Sequence, residues 1–450
     1  MGDGRILILG NGGAALSAAV AARSSGFRGE IHLVCDVDGP AYNPMLAPYF
    51  LKGIIPWEHC FPFGPGFYRT YDITCHFGAA AEALDVINHE VTLADEQKVA
   101  YSRCLIATGA SPVIPAVPGL QGSPRTFLLR TAASARRLEE AIRSAGHALV
   151  LGASFVGLKV AEILTKRHIE VILLDVADQM LPHRAHPTSA AIMRTLFEGH
   201  GVDVRLGCTM DGMEGAGEGV ACHFTGDVIK EVDFVVVCTG VRPNLDFVDP
   251  LQVQTDQAVL VDERLEASVR DLYAAGDASQ GINMLSGTHE WLGTWENACL
   301  QGRIAGQAMA GRDASYPGSI PQNIGPLFEW TYAQLGDVQP QGNSVLHFAF
   351  GDPGKGGHLL LAFRQHILVG ANLINCTRLA GKLRRAILQK WRWGDCLQHS
   401  FTVQGVERAL NEAADDFRGT AKEHSRDAVE EGAWSRKEMG SRMLGIRCRR

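Results

Sequence analysis

Closely spaced cysteine pairs are missing from this sequence. Its eleven cysteines are scattered and none forms C-x-x-C, which speaks against a disulfide framework, a zinc ribbon or an iron–sulfur cluster held by the chain itself. They read as buried small apolar residues in a reducing compartment, and no metal site is expected. An excess of one charge sign is also missing. The 42 Lys and Arg against 49 Asp and Glu leave a net charge of −7, which gives no reason to expect nucleic acid or an anionic membrane surface as partner. No apolar run approaches the length of a membrane span. No basic, apolar and small-residue leader precedes the first apolar strand, and Gly2 is not followed by the Ser or Thr that myristoylation needs, so a cytoplasmic protein is expected. What remains is the soluble globular class, 46% hydrophobic and 20% charged over 450 residues, enough chain for two or three domains.

Glycine is where the information lies. The apolar run Ile6 to Leu9 leads into Gly10-Asn11-Gly12-Gly13-Ala14-Ala15 and then an alanine-rich stretch. A second apolar run, Leu149 to Leu151, leads into Gly152-Ala153-Ser154-Phe155-Val156-Gly157 and another helix-forming stretch. Each fits a parallel strand turning sharply into a helix whose N-terminus faces a pyrophosphate. The first glycine makes the turn, the second lets backbone approach phosphate, and the third position must be small so that helix and strand pack closely. Ala15 in the third position is an accepted variant; Ser154 in the middle position is a mild departure. A second strand ends in an acid in both copies: Ile31 to Asp36 and Val171 to Asp175. Those acids fall 26 and 23 residues beyond Gly10 and Gly152, where a carboxylate is expected to meet a ribose. Two such units in one chain point to two nucleotide cofactors exchanging electrons.

The first nucleotide domain is expected over residues 1–115, closing on Ala107-Thr108-Gly109 before a proline-rich linker. The second fills 116–240 and closes on the echoing Thr239-Gly240-Val241-Arg242-Pro243-Asn244. Ala275-Gly276-Asp277 is a short strand meeting a turn, and Trp295 to Met309 reads as a helix. Residues 319–400 alternate short strands with turns and end in a basic helical segment, a compact α+β unit. From 401 to 450 the chain is a helical and charged tail. Val403, Val406, Leu410, Ala414 and Phe417 make an amphipathic stripe that is either a docking segment or part of a solvated appendage.

Together these motifs resemble the FAD-dependent pyridine nucleotide oxidoreductases, the superfamily of glutathione reductase and rubredoxin reductase, over residues 1 to about 400. The resemblance implies an α/β fold of two Rossmann-like dinucleotide-binding domains, the NAD domain inserted in the FAD domain, which resumes over 241–318, with a C-terminal α+β interface domain. For FAD it implies Gly10, Gly12, Gly13, Ala14, Ala15, Asp36, Ala81, Ala107, Thr108, Gly109, Arg130, Gly276 and Asp277. For NAD(H) it implies Gly152, Ser154, Phe155, Val156, Gly157, Asp175 and Gly240. Asp175, with no arginine directly after it, favours NADH over NADPH.

The departures say more. Disulfide-reducing branches place a redox cysteine where Met45 stands in Tyr42-Asn43-Pro44-Met45-Leu46-Ala47-Pro48, and a thioether cannot attack a disulfide. The ferredoxin-reductase branch sets a lysine beside the flavin where Pro48 stands; Lys52, one turn on, is a substitute or a surface residue. Pro44, Met45, Pro48 and Lys52 are therefore candidates to line the flavin, with no certain catalytic residue among them. Lys159 replaces a family glutamate near the nicotinamide and either stays there or turns to solvent. The segment looks most like flavin subunits of multi-component oxidoreductases such as phenylglyoxylate dehydrogenase. The expected activity is hydride exchange between NAD(H) and FAD, with electrons passing to or from an iron–sulfur protein or partner subunit, in a homodimer or hetero-oligomer. Alternatives are a flavin dehydrogenase or oxidase acting on a small organic substrate, and a non-catalytic flavin scaffold.

Overall fold

In the computed structural model, the chain is described over residues 4–412 except 65, 227, 398 and 399. Two five-stranded parallel sheets dominate it, and they share one plan. In the first, β1 (Arg5–Leu9) pairs on one side with β2 (Glu30–Cys35) and then β3 (Ile73–Phe77). On the other side it pairs with β4 (Arg103–Ile106). The second sheet centres on β6 (His147–Leu151), flanked by β7 (Glu170–Asp175) and β8 (Asp203–Leu206) on one side. Its other side carries β9 (Phe234–Val237) and the short β5 (Thr126–Phe127). The last strand of the first sheet, β10 (Leu272–Ala274), adds to β4 after the whole second domain has intervened. The central strands are apolar on both faces, as a sheet covered on both sides requires: Ile6, Leu7 and Ile8 are fully buried, as are Ala148, Leu149 and Val150.

Helix α1 (Gly13–Ser24) follows β1 and is almost all small residues. The reason is its partner α6 (Trp295–Met309). A Cβ on Gly302 would lie 2.1 Å from the Ala14 carbonyl oxygen, and one on Gly306 2.2 Å from that of Ala18. Only backbone-to-backbone packing fits there, and it ties the returning segment to the first domain. The corresponding helix of the second domain is α4 (Phe155–Lys166), with α3 (Ala132–Ile142) and α5 (Pro187–Gly199) beside it. The short α2 (Ala47–Leu51) leaves the first domain and packs on α3 and α4.

The C-terminal domain is an antiparallel sheet in the order β11 (Gln322–Leu327), β12 (Trp330–Gly336), β15 (Ile367–Ile374), β14 (Gly357–Arg364), β13 (Val345–Asp352), backed by α7 (Ala380–Leu388). Val403, Val406 and Leu410 pack into its core with Leu383 and Ile387. The start of the expected docking stripe is thus occupied within this domain, and Ala414 and Phe417 lie outside the described residues. Among the described residues, no helix is long and apolar enough to cross a membrane.

Candidate nucleotide-binding site

At the first turn, Gly10 adopts φ 117°, its N–H donates to the Val34 carbonyl at 2.7 Å, and a Cβ there would sit 2.1 Å from the Ala107 carbonyl oxygen. Glycine is obligatory on both counts. Gly12 caps α1 with no side-chain acceptor, and the first turn of that helix carries no acidic residue. Space beyond Gly12 is open to 4 Å. The positive end of α1 therefore meets no anion of the protein's own, which suits a pyrophosphate.

The second turn repeats the geometry. Gly152 has φ 111°, donates to the Leu174 carbonyl at 2.7 Å and faces the Cys238 carbonyl oxygen, 2.5 Å from where a Cβ would be. A Cβ on Gly157 would fall 1.9 Å from the Gly152 carbonyl oxygen, whereas the matching Ala15 is accommodated fully buried. Here the helix caps itself: Ser154 Oγ accepts from the Gly157 N–H at 3.3 Å and donates to the Cys238 carbonyl at 2.9 Å. Asp175, at the end of β7, accepts from the Ala153 N–H at 2.6 Å and the Ala177 N–H at 2.8 Å, one to each oxygen. Those two bonds fix the carboxylate against the second turn.

A cavity of about 840 Å³ runs from the first turn to the domain junction. Gly10, Gly12, Gly13 and Ala14 line one end, with Asp36 and Ala81 beside them. Ala107, Thr108, Gly109, Arg130, Gly276 and Asp277 line it as well. Ala15 is packed behind the turn rather than in the cavity. Arg130 Nη2 meets Asp277 Oδ2 at 2.6 Å, and its Nε donates to the Ala110 carbonyl at 3.0 Å, so one guanidinium joins the second domain to the returning loop of the first. Trp291 Nε1 holds the Asp277 carbonyl at 2.8 Å. An uncapped helix end, an acid at the second strand and an elongated space walled by glycine and alanine fit FAD.

Of the residues expected at the second nucleotide, Phe155 alone lines this cavity; Gly152, Ser154, Val156, Gly157, Asp175 and Gly240 lie outside it. Phe155 is the first residue of α4, so the second turn opens toward the first site.

Pro44 and Met45 wall the cavity, and Met45 is 56% exposed. Pro48 and Lys52 do not line it. The Lys52 ammonium turns away to Glu162 of α4, at 2.6 Å, because a buried carboxylate there outcompetes an open pocket for it. Lys159 turns neither to solvent nor into the cavity. Its ammonium donates to the Pro326 carbonyl of β11 and stands 5.4 Å from the centre of the Phe155 ring. Burial, helped by Lys52, pulls its pKa down to about 8, with Glu162 opposing.

Among the described residues Cys35 is the one cysteine lining the cavity, and burial pushes its thiol up to about 11. Cys60 is fully buried and pushed up to about 11 for the same reason. Neither is a thiolate near neutrality.

Tyr42, Trp295 and the C-terminal domain's Gln322, Asn323 and Ile324 also line the cavity, and sequence reasoning missed them. Trp295 was within reach, since Thr294 caps the helix it begins. Gln322 to Ile324 carry no local mark of a cofactor wall; only the placement of β11 brings them there.

Residues 4–302 match the family model described as pyridine nucleotide-disulphide oxidoreductase. The NADH-dependent phenylglyoxylate dehydrogenase subunit epsilon of Aromatoleum evansii is 30% identical over 76% of this chain and 82% of its own. Rubredoxin-NAD(+) reductase of Pseudomonas putida is 26% identical over 85% of this chain and 98% of its own. In fold, the chain is similar to the reductase in the covalent putidaredoxin reductase–putidaredoxin complex, with a TM-score of 0.81 at 22% identity, over 87% of this chain and 94% of that one.

Proposed function

This chain belongs to the pyridine nucleotide-disulphide oxidoreductase family, and from that premise we propose that it is an FAD-dependent enzyme exchanging electrons between NADH and an iron–sulfur protein or subunit. The observation that carries the reading is Phe155: the residue that opens the second nucleotide helix also lines the cavity of the first. A dinucleotide on the second turn would thus reach toward the first without a large movement.

Bound in the cavity, a flavin supplies hydride acceptance and the release of electrons one at a time. The chain's part is to hold and orient. The N-terminus of α1 and the glycine cradle hold the pyrophosphate, Asp36 the adenine ribose, and Asp277 with Arg130 the ribityl end. Pro44, Met45 and Ile324 line the same cavity and present no titratable group to it. No acid or base at the reacting atoms is needed, and Met45 where a redox cysteine would stand is consistent with acceptors other than disulfides. Asp175 supports NADH over NADPH, since a carboxylate held by two backbone N–H groups repels a 2′-phosphate. Arg184, the nearest arginine after it, has Tyr332 and Glu290 as electrostatic neighbours.

The relatives' names support this pairing: one is an NADH-dependent dehydrogenase subunit and the other a reductase linking NAD(+) to rubredoxin. We place the protein in the cytoplasm, as one half of a homodimer or within a larger complex. Anaerobic titration of the FAD-loaded protein with NADH should bleach the flavin band stoichiometrically, and a reduced iron–sulfur carrier should appear when one is added. A flavin band unmoved by excess NADH would leave this reading without support.

A further inference from the structure

Residues 44–57 belong to the first domain by sequence, yet Phe50, Leu51 and Trp57 pack on the second. Leu51 is 1% exposed and lies in the core of the second domain with Leu138, Leu158 and Phe127, and Phe50 packs against that core. Arg136 of α3 stands 4.2 Å from the Trp57 ring and 5.6 Å from that of Phe50. Arg167, just past α4, donates to the Leu51 carbonyl at 2.9 Å.

At the centre of this contact is a charge. Glu162 of α4 is 1% exposed; one carboxylate oxygen meets Lys52 at 2.6 Å and the other meets Lys166 at 2.8 Å. Lys166 is half exposed, so Lys52, at 11%, is the buried partner. A buried ion pair is a poor source of stability, because removing both charges from water offsets their attraction. What it supplies is direction. Apolar surfaces can slide over one another at little expense, whereas a 2.6 Å contact between an ammonium and a carboxylate fixes one register. One turn earlier on the same helix, Lys159 ties β11 through the Pro326 carbonyl. Three walls of the cavity are joined in this way through α4: Pro44 and Met45 by way of Lys52, Phe155 directly, and Ile324 by way of β11.

We propose that Glu162 and Lys52 are a positioning pair, which fixes the flavin-facing segment on the nicotinamide helix and so sets the spacing of the two rings during hydride transfer. The proposal rests on the hydride-exchange reading above. Hydride transfer is sensitive to such spacing, with misplacement by about 1 Å costing on the order of 100-fold in rate.

Two variants of the full, FAD-loaded chain test it. Glu162→Gln leaves Lys52 buried without its counter-charge. The double variant Lys52→Met, Glu162→Met replaces the pair with apolar side chains of similar length. Four quantities are read: melting temperature, FAD content, hydrogen exchange over residues 44–57, and the limiting rate of anaerobic flavin reduction by NADH. The double variant is expected to keep its FAD and to melt within a few degrees of the parent. Residues 44–57 should nonetheless exchange about tenfold faster or more, and the limiting rate should fall about 10- to 100-fold at a nearly unchanged half-saturating NADH concentration. Parental exchange together with a parental rate in the double variant would overturn the proposal, because apolar packing alone would then fix the segment. Should Glu162→Gln fail to fold, the double variant decides by itself. If NADH does not reduce the parent flavin, the functional reading fails instead, and exchange over 44–57 still reports whether the pair holds the segment.

Discussion

The two glycine turns are built on one plan and finished differently. Both use a glycine in the left-handed region pressed against the carbonyl of the domain-closing strand, Ala107 in one case and Cys238 in the other. At the first, the helix end is uncapped and faces a cavity that Trp295 and Ala298 of α6 also line. At the second, Ser154 already satisfies one backbone N–H, and Val156 beside it is 47% exposed. A helix end without its own cap is left with unsatisfied donors when its ligand departs, while a self-capped one loses less. The first turn suits a resident cofactor and the second a nucleotide that comes and goes. Charge follows the same division: α1 has none before Arg23, whereas α4 carries Lys159, Glu162 and Lys166.

The largest effect expected from breaking this symmetry is at the turn glycines. Gly10→Ala strains the backbone and drives a methyl into the Ala107 carbonyl, roughly 2–5 kcal/mol of damage in all. Gly152→Ala does the same to the second domain. Purified Gly10→Ala should emerge with little or no FAD and a lowered melting temperature. Gly152→Ala should keep its FAD and lose its response to NADH. Equal flavin content in both would abolish the distinction between a resident and an exchanging site.

Asp175→Asn comes next. Losing a charge-assisted hydrogen bond to ribose costs about 1.5–3 kcal/mol, so the Michaelis constant for NADH should rise about 10- to 100-fold while discrimination against NADPH relaxes. Unchanged steady-state kinetics with both nucleotides would remove Asp175 from the site.

Ser154→Ala makes the second turn more like the first. It should lower stability by about 1 kcal/mol. By freeing the Gly157 N–H for phosphate it should also slow NAD⁺ release, by a factor of up to about ten. Stopped-flow displacement of NAD⁺ reads this, and faster release would show that the serine itself holds the nucleotide.

The smallest effect concerns Lys159. Its folded pKa lies near 8, below the ordinary 10.5, so between those values the unfolded chain binds the extra proton. Stability therefore gains from this lysine as pH rises from 8 to 10.5 and is reduced by it below 8. Denaturant midpoints across that window should rise less steeply with pH in Lys159→Met than in the parent, and identical slopes would refute the shift.

The turns were legible because their physics is local: Gly10, Gly152 and Gly157 answer to φ and to atoms a few residues away or on the neighbouring strand. The redox-silent character of Met45 was legible for the same reason, as chemistry carried by one side chain. Lys52 was not. Its partner Glu162 lies 110 residues away, and nothing in the 44–57 segment shows that it packs in another domain's core. Gln322 to Ile324 reach the cavity by the register of a sheet that the sequence pattern does not place. Val403, Val406 and Leu410 were legible as a stripe, but periodicity gives a face without naming what covers it, and the cover is the C-terminal domain's own core.

The contact of α1 with α6 also governs the order in which the molecule can be assembled. Ala14 and Ala18 are made early in synthesis, and the glycines that accept their carbonyls, Gly302 and Gly306, come only after the whole second domain. The second domain's sheet is complete by Val237, so it can fold while the first still waits for its closing strand and helix. Domains folding during synthesis do so as they become complete, and a contact spanning nearly 300 residues is among the slowest to form. Flavin capture is accordingly expected late in biosynthesis. A ribosome stalled before residue 302 would hold a chain whose inserted domain is finished and whose first domain still lacks the roof over its cradle.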